Sequence, residues 1–192
     1  MNDQPDSTDA LDGYGSGLAE RLGGRAAVEH STVRIYVDRA AWFDTLRRAR
    51  DEEGLTFFSW LAGIDWSRDV AVGDNVEEPD ELDERFEVMC RLSSVENADG
   101  AQFIAEVPKE DAVIDSITEL FGGAEWHERE THDMFGIDFA GNPNLSPIYL
   151  PEGFIGHPLL KSYPLLAREV KPWPGDVDVE DMPEAPDEGA DA

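Results

Sequence analysis

Cysteine is nearly absent from this chain of 192 residues. Cys90 is the single cysteine, so an internal disulfide framework and a cysteine-rich metal or iron–sulfur site are excluded. Cys90 lies in a short apolar run, and we interpret it as a small buried side chain. This usage is compatible with a reducing, cytoplasmic setting.

Basic residues are also scarce. There are 15 Lys and Arg against 43 Asp and Glu, which gives a formal net charge of −28. This balance excludes a general nucleic-acid binder and a polybasic membrane-surface protein, because both need clustered cations. The sequence has no apolar run of about 18 residues, so we expect no membrane span. Residues 1–12 hold four Asp and no base, unlike the start of a signal peptide.

Short motifs for nucleotide binding and nucleophilic catalysis are missing as well. The sequence contains no G-x-x-x-x-G-K-[ST] loop, no G-x-G-x-x-G loop and no G-x-S-x-G elbow. A standard phosphate loop and a serine hydrolase elbow are therefore unsupported.

The acidic residues are concentrated in three blocks. Residues 1–12, 74–87 and 176–192 hold 20 of the 43 acidic residues. Such blocks are typical of solvated, disordered segments, although a basic partner is an alternative. We divide the chain into an acidic tail with a short helix (1–29), a folded domain (30–140), an arm (141–175) and a disordered acidic tail (176–192).

The folded part has the periodicity of an α+β domain. Asp38 is placed to cap the first predicted helix, and paired glycines end the second one. The patterning predicts strands over 32–37, 55–64, 85–92 and 102–107, and helices over 39–50, 111–121 and 126–135.

Proline dominates the region after Gly136. Helix and central strand cannot continue through that density, yet about a dozen apolar residues are spread along it. Such an extended arm must lie along another surface, which is either its own domain or, as we favour, a partner protein. The prolines are Pro143, Pro147, Pro151, Pro158, Pro164, Pro172 and Pro174.

Ionisable residues are concentrated over 126–136, and a metal hydrolase built on His127, Glu130 and His132 is one interpretation. The two histidines are five residues apart, about 140° around a regular helix, so the spacing argues against one shared metal. In the structural interpretation, Arg129 and Asp133 lie at i and i+4, where a local ion pair is possible. The charged groups would then form the edge of a partner interface.

The same segment resembles the E-R-E-x-x-D-[LM]-[FY]-G signature of the thirty-kilodalton subunit of respiratory complex I, which is the C subunit of the bacterial NADH-quinone oxidoreductase. The residues after the signature also resemble that family in order and spacing, and the resemblance covers about residues 30–175. The signature and partner-interface residues it indicates are Glu128, Arg129, Glu130, Asp133, Met134, Phe135, Gly136, Phe139, Gly141, Pro143, Pro151, Gly156, Pro158, Lys161, Tyr163 and Pro164.

The resemblance implies a two-layer α+β domain, with a mixed sheet of about four to five strands packed on helices and an extended Pro-rich C-terminal arm. It also implies an arm wrapped on the forty-nine-kilodalton-type partner, which is the D subunit of the complex, with the B and I subunits as neighbours. No catalytic residue, flavin, cluster or metal is expected in this chain, while the complex uses FMN, iron–sulfur clusters, NADH and quinone.

We therefore expect a non-catalytic subunit of a proton-translocating NADH:quinone oxidoreductase, peripheral to the cytoplasmic side of the cell membrane. One alternative is the equivalent subunit of a membrane-bound hydrogenase-type or F420-type complex. Others are the stand-alone metal hydrolase and an acidic module that binds a basic protein.

Overall fold

The fold is described by a computed structural model, which covers residues 7–68, 70 and 82–164. The acidic block at 176–192, the end of the arm and most of the block at 74–87 lie outside these residues. The helices are α1 (Ser7–Leu22), α2 (Trp42–Asp51) and α3 (Ala124–Phe135), and the strands are β1 (Arg25–Glu29), β2 (Thr32–Val37), β3 (Phe57–Trp66), β4 (Arg85–Ser93), β5 (Gly100–Pro108), β6 (Val113–Asp115) and β7 (Asp138–Ala140).

Five strands form one mixed sheet in the order β1-β2-β5-β4-β3. Its pairs are antiparallel except β2 and β5, which run parallel. The predicted α+β class and mixed sheet are therefore confirmed. β6 and β7 form a separate parallel pair.

Both α2 and the sheet supply the hydrophobic core. Trp42, Leu46 and Ala49 of α2 are fully buried with Val33 and Ile35 of β2. The predicted cap is present, because Asp38 Oδ1 accepts a hydrogen bond from Ala40 N at 2.8 Å, ahead of a 3-10 turn that leads into α2. The apolar periodicity of this helix thus follows from burial against the sheet.

Cys90 lies within this core, as predicted, with no exposed surface. Burial raises the pKa of its thiol well above the usual value. The thiol is therefore an inert part of the packing.

The predicted helix over 111–121 is wrong. The chain forms β6 there, followed by turns, and Ser116 N donates to Ala140 O of the second sheet at 2.8 Å. The apolar positions Ile114, Ile117 and Phe121 are buried in this arrangement also. Tertiary pairing with β7 therefore wins over a helical pattern of the same apolar residues.

β1 was not predicted because its hairpin turn has an unusual sequence. His30 and Ser31 both have positive φ, 49° and 58°, as a two-residue turn of the primed type requires. Asn-Gly or Asp-Gly would have indicated such a turn, whereas His-Ser does not.

None of the helices in the described part of the chain has the length and apolar character needed to cross a membrane.

Candidate functional site

α3 carries the signature and ends at a glycine that the fold requires. Gly136 has φ 74°, and its N–H donates to His132 O at 2.8 Å, which closes the helix. A Cβ at this position would lie 2.7 Å from His157 Nε2. Glycine is therefore needed for both the backbone angle and the close approach of the arm.

Glu128 of α3 is fully buried and joins three parts of the chain. Its carboxylate accepts hydrogen bonds of 2.7 Å from Ser116 Oγ, Ile117 N and Asn142 Nδ2. Burial raises the pKa of Glu128, and the three hydrogen bonds oppose that rise. Glu128 therefore fixes the turn after β6 and the first residues of the arm to α3.

Asp133 of α3 holds the backbone of the arm. Its Oδ2 accepts hydrogen bonds from the N–H groups of Ile148, Tyr149 and Leu150 at 2.8, 3.0 and 3.3 Å. Burial alone would raise the pKa of Asp133, but these hydrogen bonds outweigh it and the pKa lies below its usual value. An ionised carboxylate is thus the form that the arm recognises.

Arg129 contacts the preceding residues of the arm through their carbonyl groups. Its Nε donates to Ser146 O at 2.9 Å and its Nη2 to Pro147 O at 3.1 Å. The Arg129–Asp133 ion pair that the spacing allowed is not formed. Each side chain bonds the arm instead, and the guanidinium lies over the Trp126 ring, 5.3 Å from its centroid.

Two more contacts join α3 to the later part of the arm. His157 Nδ1 lies 2.8 Å from Asp133 O, and Leu159 N donates to Met134 O at 3.1 Å. Both use the end of α3, where helix carbonyls have no partner within the helix.

β3 binds the arm at its far end. Asp65 is buried, and its Oδ2 accepts a hydrogen bond from Lys161 N at 2.9 Å. Lys109 Nζ pairs with Asp65 Oδ1 at 2.5 Å, so the carboxylate bridges β3, the end of β5 and the arm. Lys161 also places its ammonium group 5.6 Å from the centroid of the Trp66 ring.

We call these four groups, Glu128, Arg129, Asp133 and Asp65, the arm clamp. They bind backbone or amide groups of the arm, and their targets are spread between Asn142 and Lys161. The described part of the arm therefore lies on its own domain, although we favoured a partner surface. Paired backbone groups let an extended segment pack without unsatisfied donors.

The side chains of the arm divide into two sets. Leu145 and Leu160 pack against the core, while Tyr149, Ile155 and Leu159 are exposed, Ile155 to 90%. The clamp thus holds the backbone inward and leaves apolar side chains of the arm at the surface, and the ring of Trp126 on α3 is exposed as well.

Other signature residues shape the bends of the arm. Gly156 has φ 102°, and a Cβ there would lie 2.8 Å from the Tyr163 ring. Gly141 also has positive φ, 89°, at the entry to the arm, and Phe139 of β7 is buried in the core. Pro143, Pro151, Pro158 and Pro164 lie in its turns and extended stretches.

Glu130, Met134 and Phe135 line a groove of about 310 Å³ between α3 and β3. The opposite wall includes Trp60 and Leu159. Glu130 makes no hydrogen bond or ion pair with any residue that the structure describes. It is therefore the signature carboxylate that stays available at the surface.

The two histidines considered as metal ligands bind separate backbone groups. His127 Nδ1 lies 3.1 Å from Leu61 O, and His132 Nδ1 lies 3.2 Å from Ile137 O and 3.1 Å from the Asp138 carboxylate. Within residues 7–68, 70 and 82–164, no three His, Cys, Asp or Glu side chains are grouped as metal ligands.

Several residues that join the arm to the domain lie outside the predicted set. Asp65, Lys109, Ser116, Asn142 and His157 were not identified from the sequence. Asp65 is the one that the sequence could have indicated, since a carboxylate within a long apolar strand needs a charged or hydrogen-bonding partner.

Comparison with known proteins gives relatives over most of the chain. A protein of Herpetosiphon aurantiacus, named as the C subunit of NADH-quinone oxidoreductase, is 41% identical over 76% of this chain and 84% of its own length. A protein of the same name from Citrifermentans bemidjiense is 34% identical over 74% of this chain and 81% of its own length. NADH-quinone oxidoreductase subunit 5 of Thermus thermophilus is 38% identical over 62% of this chain and 60% of its own length.

Two solved structures share the fold. A trypsin-resistant fragment of Nqo5 matches with a TM-score of 0.52 and 25% identity, over 70% of this chain and 99% of the fragment. A chain of an archaeal membrane-bound sulfane sulfur reductase matches with a TM-score of 0.56 at 19% identity, over 72% of this chain and 75% of its own length. The family model described as respiratory-chain NADH dehydrogenase, 30 Kd subunit, matches residues 35–169, so this chain belongs to that family.

Proposed function

We propose that this chain is a non-catalytic subunit of a proton-translocating NADH:quinone oxidoreductase, and that it holds the D subunit of the complex in place near the quinone site. Membership of the family supports the assignment to such a complex. The relatives that match most of the chain are named as subunits of NADH-quinone oxidoreductase.

The scaffold role is supported by one observation above all, which is that the backbone of the arm is bound to the domain while several of its apolar side chains are exposed. The clamp binds the arm through backbone atoms from within, and Tyr149, Phe154, Ile155 and Leu159 remain exposed. Several large apolar side chains exposed along one short segment are typical of a protein interface. A clamped backbone is also already ordered, so binding through it costs less conformational entropy.

The chemistry of α3 supports a structural role for the signature. Asp133 and Glu128 are both saturated with hydrogen bonds from the chain itself, and Arg129 is bound to two carbonyl oxygens. Carboxylates and guanidinium groups engaged in this way position the arm. We therefore propose that flavin, iron–sulfur clusters, NADH and quinone are bound by other subunits.

The proposed location is the cytoplasmic side of the cell membrane, with attachment through the complex. The B and I subunits are proposed as further neighbours beside the D subunit. The free carboxylate of Glu130 and the apolar groove next to it fit a partner segment with an apolar side chain and a nearby Lys or Arg.

The test is purification of the tagged full-length chain from detergent-solubilised membranes of its own host. We expect the D subunit to be recovered with the wild-type chain. Ile155→Asp would bury a carboxylate in that contact, so we expect recovery to fall about tenfold or more, equivalent to at least about 1.4 kcal/mol.

Val95→Asp is the matched control, because Val95 is an exposed apolar residue, 71% accessible, in the turn between β4 and β5. Neither change touches the core, so both chains should melt near the wild-type temperature. Equal recovery with Ile155→Asp and Val95→Asp would reject the arm as the binding surface.

A further inference from the structure

The five-stranded sheet has a second face, opposite the helices. Directly opposed residues in a sheet share one face, and Tyr36, Ile104, Met89 and Ala62 form such a row across β2, β5, β4 and β3. We call this surface the helix-free face.

The described helices that contact the sheet lie on the other side. A Cβ added at Gly15 of α1 would contact Val33 at 3.0 Å. One added at Gly63 would contact Thr131 and Phe135, of α3, at 3.1 Å. Val33 and Gly63 alternate with Tyr36 and Ala62 along their strands, so α1 and α3 pack on the other face, and α3 borders the helix-free face only at the groove beside β3.

The helix-free face is apolar along β3, where its side chains are half-buried. β3 presents Trp60, Ala62, Ile64 and Trp66 on it, where an antiparallel sheet exposed to water would carry polar residues. Ile104 is 1% exposed, and it alone among the buried apolar residues described lies outside the core cluster. The helix-free face thus has an apolar centre of its own.

Its charge differs from that of the chain. Four arginines lie in the rows of this face, against three glutamates, while the whole chain has a net charge of −28. Arg25 and Arg91 make no ion pair with any residue in the described ranges. These seven residues are Arg25, Arg34, Arg85, Arg91, Glu29, Glu87 and Glu106.

A depression of about 440 Å³ lies at the Arg25 end of the row. Ile104 and Tyr36 are among its lining residues, together with the guanidinium-bearing Arg25 and Arg39. The guanidinium of Arg25 lies 4.1 Å from the centroid of the Tyr36 ring. The lining also holds Asp38 and Glu106, and Arg39 is already bound to the Asp111 carboxylate, so Arg25 is the arginine here that could pair with a carboxylate of another protein.

We propose that the helix-free face binds a second partner protein, whose contact surface has an apolar centre and carboxylates at its rim. Trp, Tyr, Met and Arg, which occur together on this face, are the residues enriched in protein interfaces. Arg25 and Arg91 supply the cations that acidic residues of the partner would pair with. The proposal rests on the proposed function only in requiring that the chain works within an assembly.

A second copy of this chain does not fit the same face. Two copies packed face to face would bring Arg25 and Arg91 of each copy together, and each whole chain carries a net charge of −28. Like charges across an interface oppose association. The occupant is therefore a different protein.

The test is site-specific photocrosslinking in the complete complex, with p-benzoylphenylalanine at position 89, 155 or 95. Met89 lies in the row of the helix-free face, whereas Ala62 also lines the groove beside Glu130 and Leu159 and would not separate the two surfaces. We expect position 89 to crosslink to a protein of the complex other than this chain, and position 95 to give no intersubunit product. A product between position 89 and residues 69–81 of the same chain, a second copy or lipid would overturn the proposal.

Position 155 keeps this test separate from the arm. A product at 155 without one at 89 would overturn the helix-free face and leave the scaffold role intact. A product at 89 without one at 155 would support the face and count against the arm, and products at neither would reject both.

A second measurement uses charge. Arg91→Glu should lower recovery of the protein crosslinked at 89 about tenfold, through repulsion from its acidic rim, and leave recovery of the subunit bound at the arm unchanged. Arg47→Glu is the control, since Arg47 is an exposed cation on α2. Equal recovery of the crosslinked protein with both variants would overturn the proposed charge pairing.

Discussion

Asp133 accepts a hydrogen bond from the backbone N–H of Ile148 at 2.8 Å, across 15 residues of chain. The same carboxylate oxygen receives the next two N–H groups, so one side chain of α3 fixes three consecutive residues of the arm. Recognition of the backbone thus helps to fix the path of this Pro-rich segment along the domain.

Removal of this carboxylate should release the middle of the arm. Asp133→Ala leaves three N–H groups without their acceptor, and a charged hydrogen bond contributes about 1.5–3 kcal/mol. We expect hydrogen exchange at Ile148, Tyr149 and Leu150 to become about 10- to 100-fold faster. Asp115→Ala is the control, since Asp115 ends β6 in an exposed position. Unchanged exchange would show that the clamp does not hold the arm.

The clamp should also have a defined response to acid. The pKa of Asp133 is lowered in the folded chain, so its contribution is present above the usual value of 3.8 and is lost as the pH falls through the folded pKa. The pKa of Glu128 is raised, so stability falls as the pH rises from 4.5 through its folded pKa.

Hydrogen exchange of the arm amides from pH 3 to 7, corrected for intrinsic rates, measures the first effect. We expect protection to be lost as the pH falls below 3.8 in the wild type and to be absent throughout in Asp133→Ala. Thermal melting of Glu128→Gln measures the effect of Glu128. Above pH 4.5, the melting temperature of this variant should fall less with rising pH than that of the wild type. Identical pH profiles would contradict the assigned shifts.

Arg129 should behave as a clamp residue and not as an exposed ion pair. Arg129→Ala removes two hydrogen bonds to Ser146 O and Pro147 O from a side chain that is largely buried. We expect faster chymotryptic cleavage after Tyr149, by about tenfold, with a small change in domain melting. Arg129→Lys should be intermediate, because an ammonium group lacks the planar fork of the guanidinium. Cleavage at the wild-type rate in both variants would remove Arg129 from the clamp.

Gly136→Ala tests the close approach of helix and arm. Its positive φ costs about 1–2 kcal/mol for alanine, and the new Cβ would push His157 away from Asp133 O. We expect a clear fall in melting temperature. Gly122→Ala is the matched control, since a Cβ there meets nothing within 4 Å. Equal melting of both variants would contradict the described geometry.

The sequence predicted the parts of this fold that depend on local pattern. Strands with alternating or continuous apolar residues, such as β4 and β5, lie within a few residues of their predicted bounds. The segment over 111–121 failed because its apolar positions suit either a helix or a strand with turns, and pairing with β7 decides between them.

The candidate site shows the same limit. The i, i+4 spacing allowed a pair between Arg129 and Asp133, while in the fold both side chains bind the arm. Their partners are backbone atoms, which no side-chain pattern identifies. The family signature located the site, and only the three-dimensional path of the arm shows what its charges do.

Our central proposal is that the clamp presents the arm to the D subunit of the complex. The most direct measurement is recovery of that subunit on tagged full-length chains carrying Asp133→Ala or Asp115→Ala, at matched levels of folded protein. Our account predicts at least a tenfold loss of recovery for Asp133→Ala, since the arm must be ordered anew on binding, and wild-type recovery for Asp115→Ala. Wild-type recovery for Asp133→Ala, with its arm amides exchanging freely, would contradict the account.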